Sequence, residues 1–210
     1  WSEETQLKAS NADQGDFFGN SVDISGDTIV IGASCEASNT TGVNGNEGND
    51  EADHSGAAYV FTLDEDTWSQ QAYLKASNTE TEDRFGYAVA VSGNRILVGA
   101  FGEDSSASGF DGNQADNSAS EAGAAYLFTF NINSWSQIAY MKASNTDAGD
   151  RFGWSVDLSF DTAVVSAYQE DSNATGVDGD GGNNDAENSG AAYAFKIERK
   201  YALFLPLINK

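Results

Sequence analysis

Residues 68–78 read WSQQAYLKASN, and this phrase decides the fold because it occurs three times. It opens the chain as WSEETQLKASN and returns at residue 135 as WSQIAYMKASN. The spacings are 68 - 1 = 67 and 135 - 68 = 67, so the copies align without a gap. DFFGNSVDIS, DRFGYAVAVS and DRFGWSVDLS follow in register, then TIVIGAS, RILVGAF and TAVVSAY. After a long polar loop the copies close on SGAAYVF, AGAAYLF and SGAAYAF. A fixed period marks a repeat architecture, in which each unit buries its apolar face against the next. The chain therefore divides into repeats at 1–67, 68–134 and 135–200, with an apolar tail strand at 201–210.

Each unit predicts four short strands and no helix. Ser21 to Ser25 alternates polar and apolar residues, as a half-buried strand does. Ile29 to Ile31 is continuously apolar, as in a strand covered on both faces. Ala57 to Phe61 is small and aromatic, and Gln6 to Ala9 follows the leading Trp with Lys8 at the surface. Gly26-Asp27 signals a tight turn. Four strands per unit describe a propeller blade, so the expected fold is all-β, with three tandem four-stranded blades. Closed propellers hold about four to eight blades, so three form an incomplete ring or one completed by oligomerisation.

Phe18-Gly19, Phe85-Gly86 and Phe152-Gly153, with Gly32-Ala33 and Gly99-Ala100, carry a family resemblance. They resemble the FG-GAP repeat, the blade unit of integrin α-subunit propellers, in its bacterial tandem form. No copy has the proline of GAP, and the third reads Ser166-Ala167-Tyr168, as in a less regular terminal copy. The resemblance implies ligand recognition on a propeller face.

Composition removes several function classes. The net charge of -23, from 33 acids against 10 bases, opposes nucleic acid and anionic lipid alike. No apolar run is long enough for a membrane helix. One Cys, Cys35, allows no intramolecular disulfide, and with a single His, His54, it argues against a zinc site or a Cys-His or Ser-His pair. The chain opens in mid-pattern, which reads as a mature or trimmed product, so the missing signal peptide says little about export.

The loops at 36–54, 103–121 and 170–188 are long for a compact domain, which marks them as functional candidates. They hold 5, 5 and 6 acids, 16 of the 33, and no Lys or Arg. Asn44, Asn46, Asn49 and Asp50 in the first match Asp111, Asn113 and Asp116 in the second and Asp178, Asp180, Asn183 and Asp185 in the third. Alternating Asp and Asn with intervening glycine lets a loop curl around a hard cation, and Ca²⁺ takes about six to eight oxygens. Glu103-Asp104 and Glu170-Asp171 add candidate ligands at the loop starts. The pattern lacks the bidentate Glu and flanking helices of an EF-hand and resembles the integrin-type calcium loop.

The expected function is a non-catalytic, calcium-binding structural or adhesive module, secreted or on a cell surface. A carbohydrate-binding module is the first rival and requires exposed Trp or Tyr beside the loops. A polysaccharide-processing enzyme is the second, but every candidate acid here recurs threefold, which suits a repeated structural site. Trp1, Trp68 and Trp135 are expected to pack between elements, and Asp16, Asp83 and Asp150 to form turns. His54, Arg95, Trp154 and Tyr168 occur in one copy only. Expected partners are further blades, a protein or glycan ligand, or other copies joined head to tail. If the strand after each leading Trp closes the preceding blade, the tail at 201–210 completes the third blade and the first such strand is left free for a neighbour.

Overall fold

The computed structural model describes residues 2–198. Eleven strands and no helix lie among them. The first sheet holds β1 (Ser21–Ser25), β2 (Thr28–Ala33), β3 (Ala57–Asp64) and β4 (Thr67–Leu74), hydrogen-bonded in that order. The second repeats it with β5 (Ala88–Ser92), β6 (Arg95–Ala100), β7 (Ala124–Asn131) and β8 (Ser134–Met141). The third holds β9 (Phe152–Ser159), β10 (Thr162–Ala167) and β11 (Ala191–Lys196). All pairings are antiparallel, and the sheets are blade-like rather than closed into a barrel. Two-residue turns join the inner pairs, with Gly26 at φ 58, the left-handed conformation such hairpins require.

Sheet and sequence repeat are out of phase by one strand. Trp68 leads β4, which pairs with β3 of the preceding repeat, and Trp135 leads β8 in the same way. The strand expected at Gln6 to Ala9 is a correction, because residues 2–9 form no strand: among the described residues no sheet stands before them to pair with. The third sheet has three strands among the described residues, and the tail strand read at 201–210 lies outside them, as does Trp1.

The sheets stack face to face, β5 against β1 and β2, and β9 against β5 and β6. Val89 and Val91 of β5 are buried with Val30, Ala58 and Val60 of the first sheet. Their first-repeat counterparts, Val22 and Ile24, are 63% and 59% exposed. The half-buried reading of β1 therefore fails in detail, because stacking buries that face and no described sheet precedes the first.

The stacking depends on glycine. A Cβ on Gly32 would stand 1.9 Å from the Gly86 carbonyl oxygen, and one on Gly86 would stand 2.1 Å from that of Ala57. Gly99 repeats the contact with Gly153 at 2.0 Å. The Phe-Gly of one repeat thus presses its backbone onto the Gly-Ala strand of the one before, and a side chain at either point would separate the sheets. Phe85 and Phe152, both fully buried, fill the space alongside and meet Tyr126 and Tyr193 edge-on. At the third Gly-Ala position stands Ser166, and among the described residues no Phe-Gly follows to press on it.

Gly99→Ala should therefore cost about 1–3 kcal/mol, the usual penalty of overpacking. At about 2–4 °C per kcal/mol for a chain of this size, the melting temperature should fall by several degrees. Ser166→Ala, at the same repeat position without a pressing carbonyl, should cost less than about 1 kcal/mol. Calorimetry on both variants checks the contact, and equal losses would refute it.

Candidate functional site

The three acidic loops leave β2, β6 and β10 and return at β3, β7 and β11, so they emerge at the same end of each sheet. Identical backbone bonds close them. Gly56, Gly123 and Gly190 donate to the carbonyls of Glu36, Glu103 and Glu170, each at 2.8 Å. Asp104 and Asp171 accept with Oδ1 from the Glu121 and Asn188 amides at 2.8 and 2.6 Å, which ties the start of each loop to its end.

Within the loops the Asx residues shape the turns. Asn44 and Asp111, at φ 53 and 50, accept with Oδ1 from the amides of Tyr73 and Tyr140, both at 2.9 Å. Asp178 has the same φ of 52. Asn46, Asn113 and Asp180 each accept from the amide two residues on, at 3.2, 3.2 and 3.1 Å. Asn49, Asp116 and Asn183 reach back across the loop to the amides of Asn39, Ser106 and Asn173. Asp185 accepts from Asn173 Nδ2 at 3.4 Å, and Asp50 is exposed. The copies thus share one loop geometry. Asp111, Asp116 and Asp180 each use one oxygen for such a bond and keep lone pairs for another partner. No three loop carboxylates among the described residues converge within 4.8 Å. The loops offer carboxylate, amide and backbone oxygens, the donor types a hard cation takes.

Glu103 and Glu170, read from the sequence as loop ligands, stand apart from that set. Glu103 is 1% exposed. Its Oε1 accepts from Asn78 Nδ2 at 3.0 Å and Tyr140 Oη at 2.7 Å, and its Oε2 from Lys142 Nζ at 2.8 Å and the Ser105 amide at 3.2 Å. Protein donors occupy both oxygens, which removes Glu103 from the ligand set. Glu36 makes the same four contacts with Asn11, Tyr73, Lys75 and Ser38. Lys75 and Lys142 are fully buried, and burial pulls their pKa down while the paired carboxylate pushes it up. The surface position expected for this lysine holds for Lys8 alone, which is exposed. One signal in the sequence pointed to the pair: Glu36 and Glu103 each stand 39 residues before Lys75 and Lys142.

Asp16, Asp83 and Asp150 act as turn formers, accepting from the amides of Asp13, Glu80 and Asp147 at 2.7 to 2.8 Å. Burial pushes the Asp83 carboxyl up to about 8, with Glu103 adding to the rise and the Glu80 amide opposing it. Asp150 is pushed up to about 6 by the same desolvation.

Of the residues found in one copy only, His54 lies within a tight group. Its Nδ1 is 2.9 Å from Glu82, and the Arg84 guanidinium contacts His54, Glu82 and the buried Cys35 thiol. Arg95 bonds the Phe160 carbonyl at 2.8 Å. Trp154 and Tyr168, 4.3 Å apart by ring centroid, join Tyr87 and Phe101 in one aromatic cluster beneath Arg151. Of the leading tryptophans, Trp135 is buried and bonds Gln71, and Trp68 is half-buried beside Glu4.

A family model described as FG-GAP repeat matches residues 1–61, 68–128 and 135–195. None of the curated proteins matches the chain.

Two outcomes follow from this geometry. Lys142→Met leaves Glu103 buried without its cation and should cost about 3–5 kcal/mol, whereas adding Glu103→Gln should recover most of that loss. Denaturant melts of the single and double variants measure the coupling, and additive losses would contradict a paired site. The pH dependence follows Asp83. Its folded pKa of about 8 lies above its unfolded value of about 3.9, so the folded state holds the extra proton between them. Stability should fall as pH rises through that window, and Asp83→Asn should flatten the fall.

Proposed function

Because the chain belongs to the FG-GAP repeat family, we propose that it is a non-catalytic, extracellular structural or adhesive propeller module whose acidic loops take Ca²⁺. The observation that carries this reading is the placement of the loops: they emerge at one end of the sheets and hold 16 acids with no Lys or Arg of their own, of which Glu36, Glu103 and Glu121 are paired by Lys75, Lys142 and Arg151 from outside the loops. Carboxylates crowded in this way repel one another, and a bound divalent cation offsets the repulsion. Asp111, Asn113 and Asp116 would hold the ion in the second loop, with Asp104 at its edge. Asp178, Asp180, Asn183 and Asp185 would do so in the third, beside Asp171. The first loop offers Asn44, Asn46, Asn49 and Asp50, a set with less charge. Calcium bound there would stiffen the rim of turns, leaving a rigid face for a partner.

A second reading, glycan binding, is favoured by the aromatic cluster, because Tyr168 is 38% exposed and begins the third loop. It draws no support from the leading tryptophans, since Trp135 is 6% exposed.

Chelation should lower the melting temperature, and Ca²⁺ but not equivalent Na⁺ should restore it. Saturation to 100 times Kd corresponds to about 2.7 kcal/mol per site. The second and third loops should bind more tightly than the first, and Asp178→Asn with Asp180→Asn should abolish the third site in titration calorimetry. The absence of both a calcium heat and a thermal shift would refute the calcium reading. A glycan that quenches Trp154 without calcium would favour the second.

A further inference from the structure

Several separate features of the third sheet lack the partner that the first two possess. The outer edge of β11 carries no further strand among the described residues, and Ala192, Ala194 and Lys196 on it are exposed. Glu170 is 2% exposed, yet it is reached only by Asn145 Nδ2 at 2.8 Å and Ser172 Oγ at 3.0 Å. Among the described residues it has neither the Tyr nor the Lys that Glu36 and Glu103 receive from the strand closing their sheets. Between the first two sheets, Trp135 fills an apolar space bounded by Val43, Val60, Ala72 and Leu74. In the matching groove between the second and third sheets, lined by Phe110, Leu127, Ile138 and Met141, no described residue takes the place of Trp135.

The missing parts occur elsewhere in the chain. Segment 2–8 follows a leading Trp and carries Gln6 and Lys8 at the positions of Tyr73 and Lys75, both side chains able to donate to a carboxylate. The segment is already held in place against the first sheet. Glu4 accepts from Trp68 Nε1 at 3.3 Å as Gln71 does from Trp135, and Ser10 and Asn11 bond Gln70 and Glu36 as Ser77 and Asn78 bond Gln137 and Glu103. It forms no strand, and Lys8 is exposed with no carboxylate beside it among the described residues.

The stacking faces match in the same sense. In the first sheet Ser21, Asp23 and Ser25 accept from the amides of Val89, Val91 and Gly93. Ser155, Asp157 and Ser159 present the same set, exposed, on the third. The exposed Val22 and Ile24 stand where Val89 and Val91 stand in the second repeat.

We infer that a second copy of this chain lays its segment 2–8 along β11 and seats Lys8 on Glu170, completing the third sheet head to tail. The inference is independent of whether the loops take calcium. A strand added to an open edge supplies backbone hydrogen bonds, and the buried ion pair fixes its register. Two copies joined at both ends hold six sheets, within the usual range for a closed propeller. The junction differs from the internal ones at Ser166, whose Cβ occupies the space that Gly32 and Gly99 leave for a carbonyl. The inner strands of the two copies therefore stand further apart there.

The test is the mass of the intact 210-residue protein in calcium and physiological salt, measured by light scattering across concentration. Wild type should be a dimer or larger. Lys8→Glu, which alters a side chain exposed in the single chain, should keep the β-sheet circular dichroism of wild type and associate at least about 100-fold more weakly, as expected for a broken buried pair. Glu170→Gln should weaken association in the same sense. An equimolar mixture of Lys8→Glu with Glu170→Lys should recover assembly, because each copy then offers the charge the other needs. A monomeric wild type overturns the inference, including one that assembles only when residues 199–210 are removed. So does a Lys8→Glu variant that associates like wild type.

Discussion

A carboxylate is buried at the mouth of each acidic loop, and for the first two the neutralising lysine comes from the next repeat. Glu36 and Glu103 hold Lys75 and Lys142 at 3.0 and 2.8 Å with almost no solvent access. Each ion pair joins three things that are distant in sequence: the start of a loop, the strand that finishes the sheet, and through Asn11 or Asn78 the entry to that sheet. Tyr59 and Tyr126 extend the network by donating to the same asparagines at 2.6 and 2.7 Å. No buried side-chain nitrogen or oxygen among the described residues is left without a partner. Desolvating two charges costs about as much as their attraction returns, so the pair contributes little net stability. Its contribution is register: only one alignment of the incoming strand places Lys against Glu.

The loops themselves are poised between order and repulsion. Their Asx side chains satisfy backbone amides and give each loop a defined course. The charge remains, and the field of adjacent loops raises Asp83 further through Glu103 and Asp104. Such a rim is least stable when fully ionised, so protons or cations would relieve it in the same direction.

The architecture was legible in the sequence because a 67-residue period leaves few folds open and the strand patterns recur in all copies. The phase shift between repeat and sheet was one of two arrangements the sequence left open, because the Trp-led strand has the same pattern whether it opens its own sheet or closes the one before. Burial was less so. Val22 and Val89 occupy the same pattern position, yet one is exposed and the other buried, since the difference lies in whether a sheet stands in front of them. Lys8 and Lys75 differ for the same reason. Glu103 misled because acids in an acidic loop look alike until the lysine 39 residues away is placed beside one of them. The sequence pattern describes a unit, whereas burial is decided by its neighbours.

Variation between the copies shows which contacts set the geometry. At the corner where successive sheets meet, the first junction is bridged by Asn20, which bonds the carbonyl of Tyr87 at 2.9 Å and the amide of Ser34 at 3.0 Å. At the second junction the matching positions hold Tyr87 and Phe101, packed against Trp154, with Tyr168 adjoining. Hydrogen bonds in one place and stacked rings in the other serve sheets that pack in the same way, with Gly32 on Gly86 and Gly99 on Gly153 at matching distances. Side chains at the corner therefore do not determine the spacing. The backbone contact through glycine does, and it leaves the corner free to differ from copy to copy. Residues that occur in a single copy, such as His54 and Tyr168, lie at or beside this corner, where chemistry can change without disturbing the stack.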